Sequence, residues 1–378
     1  MTASPPPSST AAFHRILVRG VNWLGDAVMT TPALQRLRQA LPDAHITLLT
    51  HQKLAELWQH HPSLNAVLTF SSGEGPWSVA RRLRVGNFQT ALVLPNSHRS
   101  ALEVWLARVP QRIGCARRWR NWLLTQTVAA RQDHVEMRKR SVSEINRLVR
   151  SPATDAHGPP RATHHIHEYL HLVASLGASP EPLPPLLAIA PEELKAAAAK
   201  FRLENELSNG RPLFGLSPGA EYGPAKRWPL ERFIAVAQGI HQRTSCLWLI
   251  LGGHSDVPAA NAIHSALRTP HSALPLAGQT SLRQLMALLK LCRVLLTNDS
   301  GPMHVAAALG TPVVVPFGST SPELTGPGLP GDPRHQLLKS AAPCSPCFRR
   351  ACPIDFRCMT GIRVERVVEA VLQLLSLK

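Results

Sequence analysis

Residues 292–318 read CRVLLTNDSGPMHVAAALGTPVVVPFG, and the rest of the chain is organised around them. Val294–Thr297 is a short apolar run of strand type, and Asn298-Asp299-Ser300-Gly301 is a turn. Pro302 suits the first turn of a helix, where a missing N–H costs nothing, and Met303–Leu309 continues it. Gly310 stops that helix, and Val313-Val314-Val315 opens the next strand. Strand, turn, helix and strand make the repeating unit of a doubly wound parallel sheet. Ligands of such sheets bind at the carboxyl ends of the strands, where Asp299 and Ser300 lie. A helix start also offers unpaired N–H groups and positive dipole, which suit a phosphate. Read alone, the same residues fit an ordinary capping turn with Asp or Ser at the N-cap, the commoner use of such residues.

Working outward, the pattern repeats in both halves of the chain. Strands are expected at 15–19, 46–50, 66–70 and 90–94, with helices at 27–41, 54–60 and 80–85 between them. After a helix at 100–108 comes a short Arg-rich strand and loop. Residues 131–165 are polar, rich in Arg and His and broken by Pro and Gly at 158–160, so a mobile loop is expected. A helix at 167–176 ends at Gly177. Residues 178–191, ASPEPLPPLLAIAP, carry five prolines and read as a linker. The second half then gives strands at 213–216 and 246–251, helices at 192–201, 231–241, 256–268 and 282–290, and a C-terminal amphipathic helix at 364–377. A chain of 378 residues exceeds one core, so two domains are expected. The expected architecture is α/β: a tail at 1–12, a first doubly wound domain at 13–180 and a second at 192–378. A cleft between two such domains is a preferred place for a small ligand.

Composition narrows the function. Hydrophobic residues make up 44%, and no run approaches the roughly 20 apolar residues of a membrane span. The first twelve residues, MTASPPPSSTAA, lack the apolar segment of a secretory signal, which points to a cytoplasmic protein. The net charge is +17, and residues 81–150, with 15 Lys and Arg against 4 Asp and Glu, carry +11 of it. So local an excess suggests an anionic partner, although a generally basic, Pro- and Arg-rich proteome would also give a high total. Nucleic acid is the poor choice: there is no RNP, helix-turn-helix or zinc-finger pattern, and Tyr occurs only twice. Of seven cysteines, four cluster as Cys344-x2-Cys347-x4-Cys352-x5-Cys358. The second pair lacks knuckle spacing, so a structural metal and a loop of packed free thiols both remain open.

Three constellations can carry chemistry. Asn22-Trp23-Leu24-Gly25-Asp26 follows the first strand; Gly25 allows a tight turn or close approach, and the Asp26 carboxylate can accept a proton from an attacking hydroxyl or simply cap the next helix. In the 217–229 loop, Lys226 and Arg227 follow Gly219 and Gly223, and two cations there can hold a diphosphate or stand in solvent. The third is Asp299–His304, with N–H groups from Ser300 and Gly301 and His304 one turn into the helix. Neither GxGxxG nor GxxxxGK[ST] is present at these loops, which argues against a dinucleotide site or a Walker loop. Together they describe one expected site: an acid/base in the first domain facing a diphosphate cradle in the second.

Six segments carry a resemblance: VNWLGDAVMTTPAL (21–34), LPNSHRSAL (94–102), RIG (112–114), SPGAEYGPAKRWP (217–229), TNDSGPMHVAAALGTPVV (297–314) and CSPCFRRACPIDFRCM (344–359). They resemble the lipopolysaccharide heptosyltransferases of glycosyltransferase family 9, and AEYGPAKRWP with CSPCF resembles the heptosyltransferase II group among them. The tail and much of 131–165 fall outside the resemblance. It implies a GT-B fold, two Rossmann-like domains with the active site between them, and inverting transfer from ADP-L-glycero-β-D-manno-heptose without a metal or other cofactor. The implied acceptor is the heptosylated Kdo–lipid A inner core, on the cytoplasmic leaflet of the inner membrane. By motif match the resemblance puts the catalytic base on Asp26 and the diphosphate lysine on Lys226. Donor contacts fall on Ser217, Gly219, Asp256, Thr280, Asp299, Ser300, Gly301 and His304. Acceptor contacts are expected from Arg99, Arg112, Arg117 and Arg120. Other readings are a heptosyltransferase I or III acting at another core position, or a nucleotide-sugar binder without catalysis.

Overall fold

The computed structural model describes residues 14–150, 160–267 and 271–376. The expected tail at 1–12, residues 151–159 of the expected loop and its break, and the last residues of two expected helices, Arg268 and Leu377, lie outside the described residues.

The first sheet contains β1 (Arg15–Arg19), β2 (His45–His51), β3 (Ala66–Phe70), β4 (Thr90–Val93), β5 (Gln111–Cys115) and β6 (Gln126–Val128), in the order β3-β2-β1-β4-β5-β6. The second contains β7 (Leu213–Ser217), β8 (Leu247–Ile250), β9 (Ala273–Pro275), β10 (Val294–Thr297), β11 (Val313–Phe317) and β12 (His335–Lys339), in the order β12-β11-β10-β7-β8-β9. Every pairing is parallel. Both sheets therefore carry the same doubly wound Rossmann order, and each reverses direction once: beside β1 and β4 in the first, beside β10 and β7 in the second. The central strands are buried on both faces, which is why they read as continuous apolar runs rather than alternating ones.

By their contacts, residues through Asn22, Thr30–His134 and Ile166–Leu183 make one compact unit. Trp23–Met29, Val135–His165 and everything from Pro184 onward make the other. The division falls inside the proline-rich 178–191 stretch. In the first unit the β1 end is held by a buried ion pair, Arg19 Nε to Glu103 Oε2 at 2.8 Å, with the Arg19 guanidinium 4.3 Å from the Phe70 ring centroid. In the second unit Trp248, Phe214 and Phe233 are fully buried between the second sheet and its helices.

Two expectations need correction. The helix expected at 27–41 is two helices, Leu24–Met29 and Thr31–Ala40. Pro32 explains the break, because it has no N–H to give to the carbonyl of Val28. The first helix starts three residues early, so Asp26 stands inside a helical turn and is not its cap. The 131–165 stretch is not wholly a loop. Val142–Arg150 forms a helix whose buried Ile145 packs with Cys344 and Cys347. Its apolar positions at Val142, Ile145 and Val149 are helically spaced, but the surrounding Arg and His hide them. The apolar pattern predicts no strand at β6, β9 or β12: the first two have three residues each, and β12, HQLLK, has only two strongly apolar ones.

Candidate active site

Helix Gly301–Ala308 follows β10. Ser300 occupies its N-cap position, yet the Ser300 side chain makes no capping bond. The hydroxyl bonds instead to the Asn298 carbonyl at 3.2 Å and lies 3.3 Å from Thr297 Oγ1. Asp299 does not cap either. Its Oδ2 is 2.6 Å from Lys226 Nζ and also accepts the Thr320 hydroxyl. The capping reading of this turn therefore fails, and the first N–H groups of the helix have no side-chain cap. Asn298 locks the turn to the 217–229 loop: its side-chain oxygen accepts Trp228 N–H at 2.9 Å, and its amide donates to the Pro218 carbonyl at 2.6 Å.

Helix Leu24–Met29 lies directly on this helix. A Cβ built on Gly25 would stand 2.7 Å from His304 Cδ2, and one on Gly301 would stand 2.7 Å from Leu24 Cδ2. Glycine is needed at both places for close approach, not for an unusual backbone angle. The contact brings Asp26, some 270 residues earlier in the chain, into the same wall as Asp299 and Lys226.

A cavity of about 790 Å³ opens there. Among its lining residues are Asp26, Ser217, Gly219, Lys226, Asp256, Thr280, Asp299, Ser300, Gly301 and His304. All belong to the second compact unit, because the helix that carries Asp26 packs with it. Asp256 accepts the Gly253 N–H at 2.9 Å, and its carboxylate lies against Gly219 and Gly252, which have no side chains to displace it. Sequence reasoning gave no role to several other lining residues: Tyr222 beside Lys226, Thr320 on Asp299, Met137 and Lys139 from the 135–150 stretch, and Phe348 and Arg350 from the cysteine-rich loop. Only their chain neighbours offered a signal, since a lone Lys or Arg in a polar stretch reads as solvated.

None of the four arginines expected at an acceptor lines this cavity. They lie in the first unit. Arg99 bonds to Glu103 at 2.8 Å and to the Glu74 carbonyl. Arg112 donates to the carbonyls of Leu123 at 2.8 Å and Val109 at 2.6 Å, and buried Arg120 to those of Pro95 at 2.5 Å and Cys115 at 2.8 Å. Among the described residues the Arg117 guanidinium makes one hydrogen bond, a 3.3 Å contact with the neighbouring Ala116 carbonyl. The four clustered cysteines are free thiols that line a small cavity with Ile145. Among the described residues no three His, Cys, Asp or Glu side chains are grouped to hold a metal ion.

Electrostatics suit proton transfer. Burial raises the Asp26 carboxyl above the usual carboxylate range, and Asp299 adds to the shift while His165 and Lys226 oppose it. Asp26 is thus a stronger base than a solvated aspartate. Burial also lowers the His304 imidazole to about 4, so its ring is neutral and offers one N–H rather than a charge.

Two Rossmann sheets with this order define a GT-B fold, the architecture of nucleotide-sugar transferases. The model of glycosyltransferase family 9, the heptosyltransferases, matches residues 144–356. Lipooligosaccharide heptosyltransferase 2 of Haemophilus ducreyi is 31% identical over 326 residues, covering 83% of this chain and 86% of that protein. Lipopolysaccharide heptosyltransferase 2 of Escherichia coli is 31% identical over 328 residues, covering 83% and 85%. The solved structure of the E. coli ADP-heptose LPS heptosyltransferase II superposes with a TM-score of 0.73 at 27% identity, covering 96% of this chain and 98% of that one. The chain belongs to glycosyltransferase family 9 and is a glycosyltransferase.

The raised Asp26 carboxyl has a consequence for stability. A carboxyl whose folded pKa lies above its unfolded value favours the fold at low pH and loses that contribution as pH rises through the folded pKa. At pH 7 the charged, half-buried Asp26 therefore works against the fold. Asp26→Asn should unfold at a temperature equal to or above that of wild type at pH 7, and the difference should shrink as pH falls. A lower melting temperature at pH 7 would contradict the burial argument.

Proposed function

We propose that this chain transfers L-glycero-D-manno-heptose from ADP-L-glycero-β-D-manno-heptose to the heptosylated Kdo–lipid A inner core of lipopolysaccharide, adding the second heptose. The observation that carries the reading is the meeting, in one cavity, of a base-strengthened Asp26 with Lys226, Asp299 and an uncapped helix start. The names of the relatives support the heptosyl donor and the lipopolysaccharide acceptor.

In this reading the acceptor hydroxyl attacks the anomeric carbon from the face opposite the diphosphate, inverting the centre, and gives its proton to Asp26. The carbon–oxygen bond to ADP breaks through an oxocarbenium-like state, and negative charge grows on the departing diphosphate. Lys226, the N–H groups at the start of helix Gly301–Ala308 and the neutral His304 N–H meet that charge. Ser217, Gly219, Asp256 and Thr280 shape the wall for the nucleotide. Asp299 holds Lys226 in place, with Thr320 holding Asp299. No step requires a metal or other cofactor.

The first unit suits an anionic, lipid-linked acceptor and the leaflet that carries it. Trp105, Trp122, His98 and Trp119 form a continuous array of rings with centroids 5.9, 5.9 and 6.1 Å apart. Trp122 is 61% and Trp119 51% exposed, next to Arg117 and exposed Arg118. Tryptophan settles at lipid headgroups, and each basic residue near an anionic surface adds about 1 kcal/mol. Arg117 is the better placed of the four arginines to meet acceptor phosphate or carboxylate, because Arg99 is paired with Glu103 and Arg112 and Arg120 donate to backbone carbonyls. Among the described residues no helix is long and apolar enough to cross a membrane.

ADP release from ADP-heptose, measured with a defined heptosyl-Kdo₂-lipid A acceptor, tests the reaction. Asp26→Asn should lose roughly 10²–10⁴ in kcat, the usual worth of a positioned base. Lys226→Ala should raise donor KM and lower kcat by roughly 10²–10³. Loss of less than about tenfold on Asp26→Asn would remove it as the base. Cosedimentation with vesicles tests the surface: binding to anionic vesicles should weaken with salt and with Trp119→Ala/Trp122→Ala, while neutral vesicles bind poorly. Equal binding by that double variant would rule the array out.

A further inference from the structure

The charges lining the cavity do not by themselves suit a diphosphate. Four carboxylates, Asp26, Glu221, Asp256 and Asp299, share the wall with three cations, Lys139, Lys226 and Arg350. Lys226 is already 2.6 Å from Asp299, and His304 is neutral. A nucleotide diphosphate brings more negative charge into this setting, and more again develops as the sugar leaves. Preorganised positive charge must come from elsewhere in the wall. Lys139 and Arg350 are the lining cations that no carboxylate among the described residues pairs with.

We propose that Arg350 is a second diphosphate-gripping residue, set beside Lys226 across the Tyr222 ring. We propose also that positioning it there is the work of the loop containing Cys344 and Cys347. This rests on the reading that the cavity holds the diphosphate of a nucleotide sugar. The Tyr222 ring centroid is 4.8 Å from Lys226 Nζ and 5.3 Å from the Arg350 guanidinium carbon, so both cations lie against one aromatic ring. A planar guanidinium is weakly hydrated and presents paired N–H donors that match phosphate oxygens, which an ammonium does not.

The two segments are joined by two hydrogen bonds. Tyr222 Oη donates to the Phe348 carbonyl at 2.8 Å, and Ala225 N–H donates to the Arg350 carbonyl at 2.9 Å. Gly223, at φ +152°, lets them meet: a Cβ there would stand 2.6 Å from the Arg350 carbonyl oxygen. The cysteine loop is fixed from behind. Cys347 and Phe348 N–H groups donate to the Ser319 carbonyl at 3.0 and 2.7 Å, one residue before the Thr320 that bonds Asp299. The Cys347 carbonyl accepts Arg140 N–H at 3.0 Å, one residue after Lys139. Buried Cys344 and Cys347 pack on Ile145. Apolar thiols thus anchor a loop whose next residues reach the cavity, giving the cysteine motif a mechanical part that the reaction itself does not require.

Calorimetric titration with ADP and with adenosine tests this on the full chain. Arg350→Ala should weaken ADP roughly tenfold or more, as expected for a lost charge-assisted bond, and leave adenosine unchanged. Arg350→Lys should fall between the two. The Arg350 side chain is exposed, so the melting temperature should not move. In the transfer assay, Arg350→Ala should raise donor KM. Equal ADP affinity in wild type and Arg350→Ala would overturn the assignment. So would parallel losses for ADP and adenosine, which would make Arg350 a prop for the cavity wall. Failure of wild type to bind ADP would overturn the nucleotide reading and this inference with it.

Discussion

In the proposed reaction the chemistry depends on one close contact between two helices that lie far apart in the chain. Helix Leu24–Met29 sits on helix Gly301–Ala308 through two glycines: Gly25 against the His304 ring and Gly301 against Leu24. A side chain at either position would have to displace the His304 ring or Leu24. Because they touch, Asp26 leaves the water that a residue at the end of β1 would otherwise meet, and it shares a wall with Lys226 and Asp299. The base strength of Asp26 and the neutrality of His304 are both results of that burial.

The rest of the cavity works around this contact. Lys226 cannot serve as a simple positive charge, since Asp299 holds it and Thr320 holds Asp299. That chain fixes the direction of the ammonium at the expense of net charge, a familiar compromise where preorganisation outweighs raw attraction. Tyr222, Phe348 and Arg350 extend the same wall. Behind it, buried Cys344 and Cys347 pack on Ile145.

Much of this was legible in the amino-acid sequence, for physical reasons. Strands buried on both faces are written as short apolar runs, so β1, β3 and β10 were read within a residue of their observed ends. The 298–301 turn was legible because Pro302 and Gly310 bracket the helix; Gly310, at φ +85°, is the left-handed stop such helices favour. What stayed hidden depends on contacts distant in sequence. Nothing in Gly25 says that it packs on a histidine 279 positions later. Arg120 and Arg112 look like ligand-binding arginines until their backbone carbonyl partners are seen. Arg350 looks like a solvated charge until Tyr222 is placed beside it. The strand β12, HQLLK, pairs along β11 with only two strongly apolar residues, because its place at the sheet edge asks for little burial.

The contact between Gly25 and His304 can be tested by a double-mutant cycle on kcat of heptosyl transfer, comparing wild type, Gly25→Ala, His304→Ala and the double variant. A methyl at Gly25 should displace the Asp26 helix and lower kcat by about tenfold or more while His304 is present. With His304 removed the methyl has room, so the double variant should be no slower than His304→Ala alone, a coupling of about 1 kcal/mol or more. If Gly25→Ala keeps the wild-type rate, or if the two losses simply multiply, then Asp26 is not positioned by this contact.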